Sequence, residues 1–319
     1  MKKQIIFHIG AHKTGTSFLQ DVMLQNHLRL LEQSVVYAGK CTLMKRSPGD
    51  VLDPAFDQKC EAFLSSDMER LIVSDEDLCH DNGNVLRKLL NSLSDEADIK
   101  VVYYVREIIS YFLSFYKFTS YWRCNGSEIP TFSNLMEYAA HSSIYVRGHK
   151  LISDISLLLG KENTLVRRYS KESFGAGGLE KDFFDLLDIE SSKFTIPVQR
   201  VNSSPSLRQA EQLFWMLRYT QNPKIRIQAR DAIMGYDGEK KEEKRITIDE
   251  VEFIHKKFRP VEEAIERDFL DSNQYRASFD NHFEYWKERA GSDQGSRYLN
   301  SHEVEEVCTL VDIFRRSSS

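Results

Sequence analysis

One short stretch near the start of the chain constrains the fold more than any other. Residues 5–9 form an apolar run of strand length, and residues 10–17 form a small, polar segment that contains Gly10 and Gly15. Over residues 18–31, apolar side chains recur every three or four positions, which predicts a helix. Strand, tight loop and helix in this order direct backbone N–H groups and the positive end of a helix dipole toward one anion.

The side chains of this loop suit a phosphate or sulfate ligand. Gly10 and Gly15 allow a tight turn and a close approach of the backbone to a ligand. Lys13 supplies a full positive charge. Three hydroxyl groups that can donate hydrogen bonds belong to Thr14, Thr16 and Ser17. The plainer interpretation of the same residues is a glycine-containing turn with a solvated lysine.

The order of these residues differs from the nucleoside triphosphate loop, which reads Gly, four residues, Gly-Lys-Ser/Thr. Gly10 and Gly15 have that separation, but Thr16 follows Gly15, and Lys13 stands two places before Gly15. The order Lys-Thr-Gly-Thr-Ser resembles the 5′-phosphosulfate loop of the sulfotransferases that use 3′-phosphoadenosine 5′-phosphosulfate (PAPS). The resemblance implies that Lys13 and the four residues after it bind PAPS, with Lys13 at the bridge between the 5′-phosphate and the sulfuryl group.

A second pair of residues, Arg106 and Ser114, supports the same resemblance. Arg106 follows the apolar run at residues 101–105, and Ser114 stands eight positions later on a predicted helix. Ligands of open parallel sheets bind outside the carboxyl ends of the strands, so we expect Arg106 near the Lys13 loop. The sulfotransferase family carries its 3′-phosphate site as an arginine at a strand end and a serine on the next helix at this spacing. The alternatives are a surface ion pair for the arginine and a solvated helix serine.

Two later segments look more loosely like the same family. Residues 167–172, followed by residues 182–184, resemble the family's late strand and helix. Residues 200–206 resemble the segment that many bacterial members carry before their C-terminal helices. Together with the two anchor motifs, these matches span most of the chain.

Strands and helices alternate along the first part of the chain. After the first strand, apolar runs of strand length occur at residues 34–37, 71–74, 101–105 and 163–168. Helical spacing separates these runs. The alternation predicts an α/β fold with a central parallel sheet, and the resemblance implies a three-layer arrangement with a P-loop-like phosphosulfate loop.

The later part of the chain has a different character. Helical spacing predominates at residues 206–219, 248–269 and 303–315. Pro260 is expected to break or kink the second of these helices, and the mixed charges of residues 237–245 predict a solvated loop. We expect a single sulfotransferase-like domain over residues 1–319. Its α/β core with the cofactor site would cover residues 1–200, and a helical extension packed on that core would cover residues 201–319.

Composition excludes several classes of protein. The net charge is −5, whereas proteins that bind nucleic acid are usually basic, so a nucleic-acid partner is not expected. The 5 cysteines are widely spaced and include no CxxC pair, which argues against a zinc site or a disulfide framework and favours a cytoplasmic protein. Neither a signal peptide nor an apolar run of membrane-spanning length is apparent. No oligomeric state is predicted.

The resemblance also implies a reaction. PAPS would donate a sulfuryl group to a hydroxyl or amine, with a saccharide or lipid-linked acceptor as the expected substrate. Sulfuryl transfer needs positioning and neutralisation of charge on the leaving oxygen, which Lys13 and the helix N-terminus can supply. No metal-ligand cluster is visible, so no metal is expected.

A general base near the acceptor is also required. Glu76 is the first candidate, because it follows the run at residues 71–74 and should emerge at the same sheet edge as the loop. Many bacterial relatives carry Ser-x-Glu at this point, as this chain does. Asp75 is the alternative. His12 is the third candidate, because imidazole titrates near neutral pH. The other interpretations are that Glu76 is a solvated or helix-capping acid and that His12 is an ordinary loop histidine.

Two different functions also fit parts of the pattern. In a P-loop kinase or NTPase, residues 71–76 would be the acidic strand end that helps to hold magnesium, but the displaced lysine argues against this class. A non-catalytic nucleotide-binding module could use the same fold, because fold alone does not determine function.

Overall fold

The structure is a computed structural model. It describes residues 2–39, 54–79, 84–122, 135–141, 144–197, 205–235, 246–270, 272–290 and 299–317. Residues 200–204 of the looser family match and the predicted loop at residues 237–245 lie outside the described residues.

In the part of the chain that the structure describes, five parallel strands form one sheet, as the alternating pattern predicts. The strands are β1 (Lys3–His8), β2 (Val35–Tyr37), β3 (Arg70–Ser74), β4 (Ala97–Val105) and β5 (Thr164–Arg168). Their order across the sheet is β2-β3-β1-β4-β5, and each neighbouring pair is parallel. The predicted α/β class with a central parallel sheet is therefore confirmed.

Helices connect and follow the strands. The first seven are α1 (Thr16–Gln25), α2 (His27–Leu31), α3 (Pro54–Leu64), α4 (Asn84–Leu93), α5 (Ile108–Trp122), α6 (Leu135–His141) and α7 (Ile144–Leu159). The later helices within the described ranges are α8 (Lys171–Phe174), α9 (Gly178–Leu186), α10 (Leu207–Tyr219), α11 (Pro223–Gly235), α12 (Ile248–Phe269), α13 (Ser272–Arg289) and α14 (Ser301–Ser317).

The contacts within the chain define two compact units. The sheet unit comprises Met1–Glu107, Ser143–Val201 and Glu263–Tyr275. The helical unit comprises Ile108–Ser142, Asn202–Glu262 and Arg276–Ser319. The helical unit thus draws in a segment from the first 200 residues as well as the later helices that the sequence indicates.

The central strand of the sheet unit is buried on both faces. On one face, Ile6 belongs to a core cluster that also contains Val22 of α1 and Phe183 of α9. On the opposite face, the ring of Phe7 lies 6.4 Å from the ring of Phe56 in α3. Burial on both faces explains why the β1 sequence is a nearly continuous apolar run. Helices on both faces give the sheet unit three layers.

The helical unit has its own apolar core. Leu213 and Met216 of α10 pack with Ala229 of α11 and Val311 of α14, and all four side chains are buried. Helix α12 continues through Pro260, so of the break or kink that we expected there, the break is wrong, and the kink stays a prediction. One apolar face of α12 is buried through Val251, Ile254 and Phe258. The packing of this face outweighs the cost of the one backbone hydrogen bond that proline cannot donate.

Candidate functional site

The loop after β1, residues 9–15, begins at the carboxyl edge of the sheet and stays attached to β4. The N–H of Ala11 donates to the Tyr104 carbonyl at 3.2 Å, and the N–H of Tyr104 donates to the Gly10 carbonyl at 3.0 Å. The chain passes from β1 to β2 on one side, whereas β4 lies on the other side of β1. Open α/β sheets bind ligands in the crevice where the strand order reverses in this way.

Three left-handed residues shape the loop. Gly10, Lys13 and Gly15 have φ values of 88°, 66° and 79°. A Cβ atom on Gly10 would lie 3.2 Å from the Cβ of Glu76, and one on Gly15 would lie 2.5 Å from the Cδ2 of Leu179. Both glycines are therefore needed for backbone conformation and for space, and the first of them brings the loop against Glu76.

The hydroxyl groups of the loop have different surroundings. The Oγ1 of Thr14 is in a fully buried side chain and donates to the Ala11 carbonyl at 2.6 Å, so it holds the loop in shape. Thr16 is also buried and begins α1, whereas Ser17 is half-buried. Gly15 is the N-cap and has no side chain that could accept from the first-turn N–H groups. These N–H groups have no intrahelical acceptor and suit an anion.

An acidic turn lies beside the loop. Residues Glu76–Cys79 form a 3-10 turn directly after β3. The Nδ1 of His12 lies 3.5 Å from the Oε1 of Glu76, and its Nε2 lies 3.8 Å from the Oδ1 of Asp77. His12 is only 8% exposed. Because each ring nitrogen faces a carboxylate, only the doubly protonated imidazolium presents an N–H to both.

Electrostatics favours the same protonation states. Burial lowers the pKa of His12, but its contacts with Cys79 and Glu76 outweigh burial and raise that pKa to about 10. Burial raises the pKa of Glu76, but His12, followed by the Thr16 hydroxyl and the charge of Lys13, brings that pKa below its usual value. At neutral pH the pair is therefore an imidazolium and a carboxylate.

Two further cations belong to this edge of the sheet. The pKa of Lys13 is lowered by burial and by the charge of Arg106, while the charge of Glu76 opposes both effects. The Nη1 of Arg106 donates to the Lys13 carbonyl at 2.8 Å. The guanidinium carbon of Arg106 lies 5.6 Å from the ring centre of Tyr169, within the range of a cation–π contact.

Most of the site residues expected from the sequence therefore lie in one part of the sheet unit. Lys13 and His12 are on the loop, with Glu76 against the loop and Arg106 bonded to it. Ser114 lies on α5 in the helical unit and is buried, with 8% of its surface exposed. Its proposed place in a 3′-phosphate site continues to rest on the sequence pattern.

Two polar residues near the acidic turn have structural partners. The Oδ1 of Asp75, the alternative base, accepts from the N–H of Asp77 at 2.9 Å and so stabilises the turn. The Nδ1 of His8 lies 2.9 Å from the Oγ of Ser74. Burial lowers the pKa of His8 to about 4, although the charge of Glu76 opposes it, so His8 is a neutral core histidine at physiological pH.

The sequence interpretation missed three residues that contribute to this cluster: Asp77, Cys79 and Tyr169. Asp77 faces His12, Cys79 lies in the same turn, and Tyr169 packs near Arg106. Tyr169 immediately follows β5, so the rule that ligand groups gather at the carboxyl ends of strands could have identified it. Cys79 gave no comparable signal, because its place depends on the 3-10 turn.

Within the described ranges, no three His, Cys, Asp or Glu side chains gather as ligands for a metal ion. No helix in the same ranges has both the length and the apolar character that crossing a bilayer requires.

Comparison with known proteins finds a distant structural likeness. No protein-family model matches the chain, and no curated protein matches it. Among solved structures, a sulfotransferase from Alicyclobacillus acidocaldarius is similar at 15% sequence identity, with a TM-score of 0.40. The match covers 75% of this chain and 98% of that protein. A likeness this distant assigns neither an activity nor a site to this chain.

Proposed function

We propose that this chain transfers a sulfuryl group from PAPS to a hydroxyl or amine acceptor. The observation that carries the proposal is the meeting of Lys13, Arg106 and the His12–Glu76 ion pair around one loop. Cations beside a helix N-terminus suit an anionic nucleotide, and a carboxylate beside them suits an incoming acceptor. The order of the loop residues favours a phosphosulfate over a nucleoside triphosphate.

Lys13 and the loop would act on the donor. The acceptor oxygen or nitrogen attacks sulfur, and the bond from sulfur to the bridging oxygen breaks. The electron pair of that bond stays with the leaving phosphate of adenosine 3′,5′-bisphosphate (PAP). Lys13 would neutralise the growing charge on the leaving oxygen, while Thr16, Ser17 and the N–H groups of residues 14–17 would hold the 5′-phosphate.

Glu76 would act on the acceptor. Its carboxylate takes the proton that the attacking hydroxyl or amine loses. His12 is cationic beside it, so we assign His12 the role of keeping Glu76 ionised and in place, not that of the base. Of the candidates from the sequence, this assignment favours Glu76 as the base and gives His12 a supporting role.

Arg106 and Ser114 would hold the 3′-phosphate of the nucleotide. Arg106 has a planar fork of donors that matches phosphate oxygens. Ser114 is proposed from its spacing after Arg106 alone. A saccharide or lipid-linked saccharide is the proposed acceptor, and the cytoplasm is the proposed location.

Nucleotide binding tests the donor assignment directly. Calorimetry should show that PAP binds far more tightly than AMP, because charge-assisted hydrogen bonds to the 3′-phosphate contribute about 1.5–3 kcal/mol each. Equal affinities would contradict the 3′-phosphate site. An acceptor screen with labelled PAPS, using glycans and small phenols, then tests transfer.

Two outcomes would favour the other functions. Magnesium-dependent ATP hydrolysis that is lost with EDTA would favour a P-loop kinase or NTPase. Tight PAP binding without transfer to any acceptor would favour a non-catalytic nucleotide-binding module.

A further inference from the structure

The backbone at Lys13 has an unfavourable conformation that something must hold. Its φ of 66° is left-handed, although lysine has a Cβ atom. For a residue other than glycine this conformation is unfavourable, because the Cβ atom comes too close to the following carbonyl oxygen. Such backbone strain persists only where surrounding contacts fix it, and it is concentrated at functional sites.

Arg106 provides a contact at this point. Its Nη1 donates to the carbonyl of Lys13 at 2.8 Å, which fixes the peptide on the C-terminal side of the strained residue. Arg106 directly follows β4, and the backbone of β4 also holds Gly10 and Ala11 on the other side of the turn. The two sides of the turn are therefore anchored on β4 and on the residue that directly follows it.

Tyr169 fixes the guanidinium in turn. The ring centre of Tyr169 lies 5.6 Å from the guanidinium carbon of Arg106. The Cε2 of the same ring lies 3.4 Å from the position that a Cβ on Gly15 would occupy. The N–H of Tyr169 donates to the Val105 carbonyl at 2.6 Å, so the ring is held close to the end of β4.

The Lys13 carbonyl is the only hydrogen-bond partner of the Arg106 side chain among the residues that the structure describes. Four of the five guanidinium N–H groups are thus left for a ligand. We propose that Arg106 is a positioning residue for Lys13 as well as a phosphate ligand, so that phosphate binding on Arg106 and ordering of the Lys13 loop are coupled. The phosphate-ligand half of this inference rests on the proposed function.

The decisive experiment compares nucleotides with and without a 3′-phosphate. If Arg106 only binds the 3′-phosphate, Arg106→Gln should weaken PAP binding and leave AMP binding unchanged. If Arg106 also positions Lys13, Arg106→Gln should weaken AMP binding too, by about tenfold. The reason is that the loop that holds the 5′-phosphate loses the hydrogen bond from Arg106. Arg106→Lys keeps the charge but not the planar fork and should weaken AMP binding similarly. Ser114→Ala, whose proposed role is limited to the 3′-phosphate, should weaken PAP binding only.

Turnover gives a second readout that loss of a phosphate ligand would not change. At saturating PAPS, Arg106→Gln should still have a reduced kcat, because Lys13 is displaced. Free guanidinium should partly restore the kcat of Arg106→Ala. Full kcat in Arg106→Gln, together with unchanged AMP affinity, would overturn the positioning role.

A measurement on the ligand-free protein separates this inference from the proposed function. Hydrogen–deuterium exchange of a peptide that covers residues 9–18 should become faster in Arg106→Gln and stay unchanged in Ser114→Ala. If the wild-type protein binds PAP and AMP with equal affinity, the proposed function fails, and the exchange measurement still decides whether Arg106 positions the loop. Unchanged exchange in both Arg106→Gln and Arg106→Lys would overturn it.

Discussion

The Nδ1 of His12 lies 3.5 Å from the Oε1 of Glu76, and this ion pair joins the loop after β1 to the turn after β3. The two residues are far apart in sequence but meet because β1 and β3 are paired in parallel, with His8 opposite Ser74 at the last register position. The pair places a carboxylate next to the loop that carries Lys13. It also explains how a buried histidine and a partly buried acid can both remain charged.

Loss of the Lys13 ammonium should reduce turnover far more than nucleotide affinity. Lys13→Asn should lower kcat about a hundredfold or more, the usual effect of removing one donor that acts in the transition state. Asparagine tolerates the left-handed backbone at this position better than alanine does, so the loop should keep its shape. Lys181→Ala, at an exposed lysine of the same unit, is the control and should leave kcat unchanged. A Lys13→Asn enzyme with wild-type kcat would show that the transferring group lies elsewhere.

Glu76→Gln should separate chemistry from nucleotide binding. The substitution keeps the side chain's size and removes its proton-accepting carboxylate, so turnover should fall by roughly 10²–10⁴ while PAP affinity changes little. Asp77→Asn is a matched comparison, because Asp77 also faces His12 but has no assigned proton transfer. If both variants lose the same activity, the acidic turn acts through His12, and the base is not Glu76. Loss of PAP binding in Glu76→Gln would place Glu76 in the cofactor site.

His12 should make stability depend on pH. Its pKa is 6.5 when unperturbed and about 10 in the folded protein, so folding strengthens proton binding. The resulting stabilisation is fully present below pH 6.5 and is lost as pH rises through about 10. Urea unfolding should therefore show the largest difference between wild type and His12→Gln at low pH and a shrinking difference above neutrality. His302→Gln, at an exposed position, is the control. A difference that does not vary with pH would contradict a charged His12.

His12→Gln should also shift the acid limb of the activity profile. The His12 imidazolium holds the pKa of Glu76 below its usual value. Its removal should raise that pKa, so the variant should lose kcat at a higher pH than wild type as the carboxylate becomes protonated. The measurement is kcat at saturating substrates across the acidic range. Coincident acid limbs would show that the ionisation of Glu76 does not control turnover.

Gly15→Ala should destabilise the fold for two separable reasons. The left-handed φ of 79° costs an alanine about 1–2 kcal/mol, and its Cβ would lie 2.5 Å from the Cδ2 of Leu179. Gly39→Ala is the control, because Gly39 has a similar φ of 82° and its nearest neighbour would be the Nζ of Lys59 at 3.9 Å. Urea unfolding should show a larger loss of unfolding free energy in Gly15→Ala, by about 1–3 kcal/mol, from overpacking. Equal losses would mean that Leu179 moves aside without cost.

Local sequence was sufficient to locate the strands and the loop. The apolar runs predicted all five strands, because parallel strands buried on both faces leave a continuous apolar signal. Helical spacing over residues 206–219 predicted a helix that the structure has at Leu207–Tyr219. Helices α11 and α13 were missed, since charged and polar residues interrupt their apolar spacing and tertiary packing decides whether such segments are helical.

The linear pattern alone identifies the residue types that stand at the strand ends: Lys13 after β1, Glu76 after β3 and Arg106 after β4. Which of those residues contact one another depends on the three-dimensional fold. The His12–Glu76 pair and the bond from Arg106 to the Lys13 carbonyl join positions remote in sequence, and both depend on strand order and register. The charge states of these residues also depend on the tertiary structure, because a pKa is set by burial and by neighbouring charges, which a linear pattern does not contain.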